Sequence, residues 1–237
     1  EMIRSISTGK NFYVLLVYFF LISFLLSFFR LFIQHFGGTV FLNLLFGRYY
    51  SPFEEERIFM FLDMRDSTTI AEQLGNIRFS EIIQDCFRDL NTIIDLHDAQ
   101  IYQYVGDEAI LTWPVKRGLK NDNCLMACFS YQDILRKRKD YYQQKYGLVP
   151  EFKAGVHLGN VRVAEIGVTR RAVAFHGDVM NTTARIAGEC NRLGYDLLIS
   201  EALKDELSER LNFKVQLFPQ VPLKGKLEAI NIVGISR

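Results

Sequence analysis

Two carboxylates stand out by their settings. Asp63 closes the short continuous apolar run "RIFMFLD". Asp107 sits inside "IYQYVGDEAIL", where apolar and aromatic residues run up to a Gly-Asp-Glu and then resume. A hairpin turn exposes an Asp at a sheet rim while its flanks stay buried, and a buried strand that ends on an acid does the same. If the two strands are neighbours, both acids reach one rim. Two hard carboxylates suit Mg²⁺, which takes a few protein oxygens and leaves positions for phosphate. Such a pair can hold two ions flanking an in-line displacement at phosphorus. Either acid alone would be an ordinary turn or helix-cap residue.

Three further stretches add to the pair. In "DMRDST" the residues Met64, Arg65, Asp66, Ser67 and Thr68 lead from strand into helix. That places free backbone N–H groups and a helix N-terminus beside Asp63, a setting that favours a triphosphate. Ser67 or Thr68 would serve equally as a plain N-cap. "NTTAR" puts Asn181 and Arg185 four apart, on one helix face. Arg binds phosphate oxygens in pairs, and a nearby Asn can orient a sugar or a transition-state oxygen. The bland alternative is a solvated polar stripe. In "LKGKLE", Gly225 makes the loop bendable and Lys224 can reach a terminal phosphate.

The elements that must position these residues are legible in outline. Of 237 residues, 49% are hydrophobic, enough for one good-sized core and an extra segment. A net charge of +1 gives no global basic field for nucleic acid. The four cysteines, Cys86, Cys124, Cys128 and Cys190, lack metal-like spacing and read as small buried residues of a reducing compartment. From residue 57 the chain alternates irregularly between strands and helices. Hairpins are expected about Gly106-Asp107 and about Gly159-Asn160. One long helix is expected from "NCLMACF" to Gly147, and another from Asp178, as its N-cap, to Gly194. A mixed or antiparallel sheet with helices packed on it follows: α+β.

The N-terminus departs from this texture. "NFYVLLVYFFLISFLLSFF", residues 11–29, carries no charge. With the apolar residues beyond Arg30 it reaches about 20 residues, the length that crosses a bilayer core. Lys10, Arg30 and Arg48 flank it, and long basic side chains snorkel near such ends. It is too long and aromatic for a signal peptide. A buried core helix or an oligomer-forming helix is the alternative. The chain opens on Glu1, as the end of a longer protein would. The expected organisation is a transmembrane helix with flanks over 1–36, a connecting helix over 37–56, and a globular domain over 57–237.

Taken together, "FMFLDMRDST", "YVGDEAIL", "FKAGVHLGNV", "FHGDVMNTTARI" and "LKGK" resemble, in order and spacing, the class III nucleotidyl cyclase catalytic domain. The resemblance covers about residues 54–235. The lead-in "GRYYSPFEEERIFMFLD" is similar to the segment that couples membrane domains to bacterial cyclases of this class. The resemblance implies a ferredoxin-like α+β sheet that works as a homodimer, with sites at the subunit interface. It implies that Asp63 and Asp107, with the backbone at Met64, bind two Mg²⁺ or Mn²⁺ ions, and that the backbone through Thr68 holds phosphate. The partner copy would bring Asn181 and Arg185 for ribose and transition-state phosphate, and Lys224 for the terminal phosphate. Arg170 (or Arg171) falls near a position that holds the leaving pyrophosphate. The implied reaction is attack by the ribose 3′-oxygen on the α-phosphorus with loss of pyrophosphate.

Departures from the family pattern bear on the substrate. Gln103 stands where adenylate-selective members have a lysine, and Ala174 where its Asp or Thr partner would be. Asp66 and Ser67 replace a glycine and a phenylalanine. Gln103 has both a donor and an acceptor, so it can read adenine or, flipped, guanine. ATP is the preferred substrate, giving cyclic AMP, with GTP and cyclic GMP the alternative. A dimerising or nucleotide-sensing domain without turnover is a second alternative. A diguanylate cyclase fits less well, because Val105 and Ala109 stand where that class wants Gly and Phe. Cytosolic ATP implies a cytoplasmic catalytic domain on the inner, cell membrane, with the lipid bilayer as a partner.

Overall fold

The computed structural model describes residues 2–36, 52–167, 172–207, 213–226 and 228–237. In chain order the elements are α1 (Met2–Phe36), β1 (Phe53–Met64), α2 (Ser67–Ile94), β2 (Gln100–Val105), β3 (Glu108–Pro114), α3 (Val115–Leu119), α4 (Asn123–Lys137), α5 (Lys139–Tyr146), β4 (Phe152–Ile166), β5 (Ala172–His176), α6 (Asp178–Gly188), α7 (Cys190–Leu193), β6 (Leu197–Ser200), α8 (Glu201–Glu206), β7 (Lys214–Val221) and β8 (Ile230–Ser236). Two compact units form: Glu1–Phe53 with Val163–Ala174, and Glu54–Arg162 with Phe175–Arg237.

The first unit contains α1. Its stretch Phe12–Leu31 is 20 residues of mean hydropathy 2.5 with none of it buried, long and apolar enough to cross a membrane. A connecting helix read over 37–56 lies outside the described residues up to Ser51. Beyond that point the chain is strand, because β1 begins at Phe53 rather than at Arg57.

The second unit is built on a mixed sheet in the order β2-β3-β1-β4-β6-β8-β7, with β5 paired to β4. β1 pairs antiparallel with β3, and β4 parallel with β6. Ile58 to Leu62 are buried one after another, which is why β1 reads as an unbroken apolar run. The principal core joins Ile58, Met60 and Leu62 to the apolar stripes of α2 (Ile82, Cys86, Leu90) and α4 (Leu125, Cys128, Tyr131). All four cysteines are free and buried.

Several local expectations are corrected. Gly159-Asn160 is not a turn: β4 runs through it without a break. Glycine stands there because α6 passes close, and a Cβ would lie 3.1 Å from Val179 Cγ2. At Gly155 a Cβ would be 2.3 Å from the Ala187 backbone nitrogen, so α6 can seat on β4 only over glycine. The helix read as continuous up to Gly147 is two, α4 and α5, interrupted at Arg138. The segment from Asp178 to Gly194 is likewise α6 and α7, and the N-cap is Gly177 rather than Asp178. α8 ends at Glu206, since Leu207 is already extended.

Candidate active site

The β2–β3 hairpin forms as the sequence suggests. Val105 pairs with Glu108 across a two-residue turn, and Gly106 takes the positive φ of 62° that the turn demands. Across β1 and β3, Asp63 lies directly opposite Glu108. Opposed residues of an antiparallel pair project to the same face with Cβ atoms about 5 Å apart. Three acids, Asp63, Asp107 and Glu108, therefore meet at one corner of the sheet.

The cation that answers them is Lys153 from the start of β4. Its Nζ is 3.3 Å from Asp63 Oδ2, and the lysine side chain is 13% exposed. At the other end of the same strands Arg162 Nε reaches Glu54 Oε1 at 2.9 Å, so β1 and β4 run antiparallel. Burial pushes Asp63 above the usual carboxylate range; Lys153 pulls it back, and Asp107 pushes it up again. Burial, then Asp63 and Asp107, push Glu108 up to about 7. Both burial and like charge disfavour the ionised corner, and a divalent cation relieves both. Asp63 and Asp107 are hard oxygen donors of the kind Mg²⁺ accepts. Among the described residues no group of three or more His, Cys, Asp or Glu side chains is arranged around a metal position.

The turn after β1 separates into two roles. Arg65 is engaged elsewhere: its guanidinium bonds Asp196 Oδ1 (3.0 and 2.6 Å), Asn191 Oδ1 (2.7 Å) and the Tyr195 carbonyl (3.0 Å), and its N–H donates to Glu151 O at 2.8 Å. It ties β1 to the α7–β6 connection and has no free backbone N–H for phosphate. Asp66, at φ 52°, caps α2 in the left-handed conformation without a side-chain cap bond. Helical bonding begins with Ile70 N–H to Asp66 O at 2.9 Å. The N–H groups of Ser67 and Thr68 are thus left at the open helix end beside Met64 and Asp63.

A second, cationic group gathers around α6. Asn181 is exposed on it, and Arg185, one turn further on, lies over the β7–β8 loop. There a Cβ on Gly225 would come within 3.4 Å of Arg185 Nη2. Lys224 is exposed in the same loop, and Lys226 Nζ is 2.8 Å from Asp178 Oδ2. The charges acting on Asp63 are Lys153 and Asp107, whereas those acting on Asp178 are Lys226 and Arg185. The amino end of α6 is seated at Gly159 and its later part at Gly155, six and two residues beyond Lys153 on β4. Each group is coherent in itself, and each acid has its own cation: Asp63 has Lys153 and Asp178 has Lys226.

Of the remaining residues, Gln103 is exposed on β2 and Ala174 is buried on β5. Arg170 and Arg171 lie outside the described residues. Sequence reasoning misses Lys153 and Lys226 altogether and gives Glu108 no part. The alternation of "FKAGVH" marks a strand, but only the pairing of β1 with β4 sets Lys153 against Asp63.

The family model for the adenylate and guanylate cyclase catalytic domain matches residues 50–233. The chain belongs to this family. It is 33% identical over 200 residues to adenylate cyclase 2 of Rhizobium meliloti (strain 1021), covering 84% of this chain and 55% of the relative. Guanylate cyclase D of Mus musculus is 25% identical over 168 residues, covering 70% of this chain and 15% of that protein. A bacterial light-regulated adenylyl cyclase has the same fold, with a TM-score of 0.77 at 17% identity over 91% of this chain and 63% of that one. The chain thus spans about half, or less, of the curated relatives it matches.

Proposed function

We propose that this chain forms a membrane-anchored homodimer that converts ATP to cyclic AMP and pyrophosphate, at sites each built from two copies. The observation that carries the reading is the division of charges just described. An acid corner with an open helix end and a cationic group on α6 are complementary parts of a triphosphate site, and the charges that act on Asp63 are not those that act on Asp178. A second copy would bring the missing half to each.

In this reading Asp63 and Asp107, with the backbone at Met64, hold two Mg²⁺ or Mn²⁺ ions. When bound, such ions supply Lewis acidity at the attacking oxygen and at the phosphates. The N–H groups of Ser67 and Thr68 receive phosphate oxygens at the start of α2. Asn181 of the facing copy orients the ribose for in-line approach of its 3′-hydroxyl to the α-phosphorus. Arg185 meets the charge that builds on that phosphate, and Lys224 holds the terminal one. Gln103 reads the base edge through its amide, and buried Ala174 contributes space. The exposed apolar helix α1 anchors the chain in the inner membrane, with residues 37–56 coupling it to a cytoplasmic catalytic domain.

The test supplies ATP and GTP together to the purified chain with Mn²⁺ and identifies the cyclic product. Cyclic AMP is expected. Cyclic GMP would favour the second reading, for which Gln103 in place of the family's lysine and the likeness to a mammalian guanylate cyclase speak. The composite site has its own test. Asp63→Ala and Asn181→Ala are each inactive, but a mixture of the two regains activity, because one site per mixed dimer keeps all its groups. Mixed dimers that form and stay inactive would rule the arrangement out.

A further inference from the structure

We propose that the ion pair between Asp178 and Lys226 is a clasp that positions Lys224 and Arg185 as one phosphate-binding unit; the proposal rests on the cyclase reading above. The β7–β8 loop is pinned on both sides of Lys224. Before it, Leu223 is 3% exposed and packs with Ile186 of α6, Val221 and Ile232. After it, Lys226 Nζ contacts Asp178 Oδ2 at 2.8 Å, with the lysine side chain 21% exposed. The turn between the pins is closed by Lys226 N–H to Leu223 O at 3.0 Å, and Gly225 takes a φ of 74°.

Lys224, exposed at the crest of this turn, has a fixed backbone only because both pins hold. Arg185 rests against Gly225, so displacing the loop frees the guanidinium as well. Asp178 has the bonding for this role. It also accepts Thr182 Oγ1 at 3.1 Å, and the Lys226 bond first of all holds its carboxyl below the usual range. His157 faces the same lysine from β4, bonded through Nδ1 to Ser200 Oγ at 2.7 Å. Burial, then the Lys226 charge, push it down to about 4, so it adds no second positive charge at neutral pH. Lys226 is a positioning residue and touches no reacting atom.

The experiment uses the full chain and reads two quantities: kcat and KM for ATP with Mn²⁺, and amide hydrogen exchange of residues 223–226 without nucleotide. Lys226→Met is expected to lower kcat/KM by about 10²-fold, the usual penalty for a misplaced binding group. It should speed exchange of the loop about tenfold while leaving the melting temperature unchanged. Lys226→Arg and the exchanged pair Asp178→Lys with Lys226→Asp should recover most of both. In a Lys224→Ala background, Lys226→Met should lower kcat/KM by less than in the wild type, because the part of its effect that runs through Lys224 is already gone. Full additivity, or unchanged loop exchange in Lys226→Met, overturns the clasp. A wild-type chain with no turnover at all overturns the cyclase reading instead, and the exchange measurement still decides whether the clasp holds the loop.

Discussion

On α2, Asp85 accepts hydrogen bonds from the hydroxyls of Tyr141 and Tyr146 and from Lys145 Nζ, each at 2.7 Å, and from Arg88 at 3.1 Å. One turn on, Asp89 accepts from Tyr142 at 2.7 Å and from Arg138. At the end of β1, Asp63 has Lys153 at 3.3 Å, and Asp107 presses on it. The first place buries its carboxylates and the second half-buries them. In the first, donors outweigh the desolvation and hold Asp85 down at about 2. In the second, burial and like charge win, and Asp63 and Glu108 rise. Satisfied acids lock two helices together, whereas the acids at the sheet rim crowd one another, and in the proposed reading a charge from outside answers them.

Two substitutions of the same kind separate these roles. Asp107→Ala should reduce cyclic-nucleotide formation by about 10³-fold or more, since it removes half of the metal-holding pair. The urea midpoint should stay close to that of the wild type. Asp89→Ala should do the reverse: it leaves Arg138 and the Tyr142 hydroxyl without their acceptor. Breaking such a buried pair costs about 3–5 kcal/mol. Turnover per folded molecule should be little changed. If Asp107→Ala proves as destabilising as Asp89→Ala, the corner is structural and the contrast fails.

Acid sharpens the same contrast. The folded Asp85 titrates at about 2, against about 3.9 for an unfolded chain, so folding favours its charged form. Its contribution, on the order of 2–3 kcal/mol, is complete above the unfolded value and is lost as pH falls through that window towards 2. Between pH 6 and pH 3, unfolding free energy should therefore fall more steeply in the wild type than in Asp85→Asn. Parallel curves would show that the tyrosines and Lys145 do not hold Asp85 as described.

Much of the acid corner is legible in the sequence alone. The apolar run before Asp63 and the Gly-Asp turn before Glu108 are local signals, and a two-residue hairpin leaves little freedom of register. The features that the sequence misrepresents depend on neighbours distant along the chain. Gly159 looks like a turn, because a glycine that admits a helix and a glycine that bends a strand are the same letter. Arg65 looks like part of a phosphate cradle. Its partners, Asn191, Tyr195 and Asp196, lie far along the chain and turn it the other way. Lys153 and Lys226 cannot be found by spacing, since each faces an acid brought to it only by sheet order or loop closure. The tyrosines of α5 carry a helix pattern and nothing to show that their hydroxyls face α2.

The smallest expected effect concerns a fourth carboxylate at the corner. Asp66 takes a φ of 52°, a conformation that glycine enters freely and an L-residue at some cost, yet its side chain makes no cap bond. Asp66→Gly relieves strain of about 1 kcal/mol. It loses the attraction between a negative charge and the helix N-terminus, worth about 0.3–1 kcal/mol. It also gives the unfolded chain more freedom, so the net change in stability should stay within about 1 kcal/mol. Function should respond in one direction only. A negative charge beside the N–H groups of Ser67 and Thr68 opposes a triphosphate, so its removal should lower KM for ATP by a few-fold while kcat holds. A tenfold fall in kcat would mean that Asp66 itself belongs to the ion-holding set, and that the division between Asp63 with Asp107 and the rest of the turn is drawn one residue too tightly.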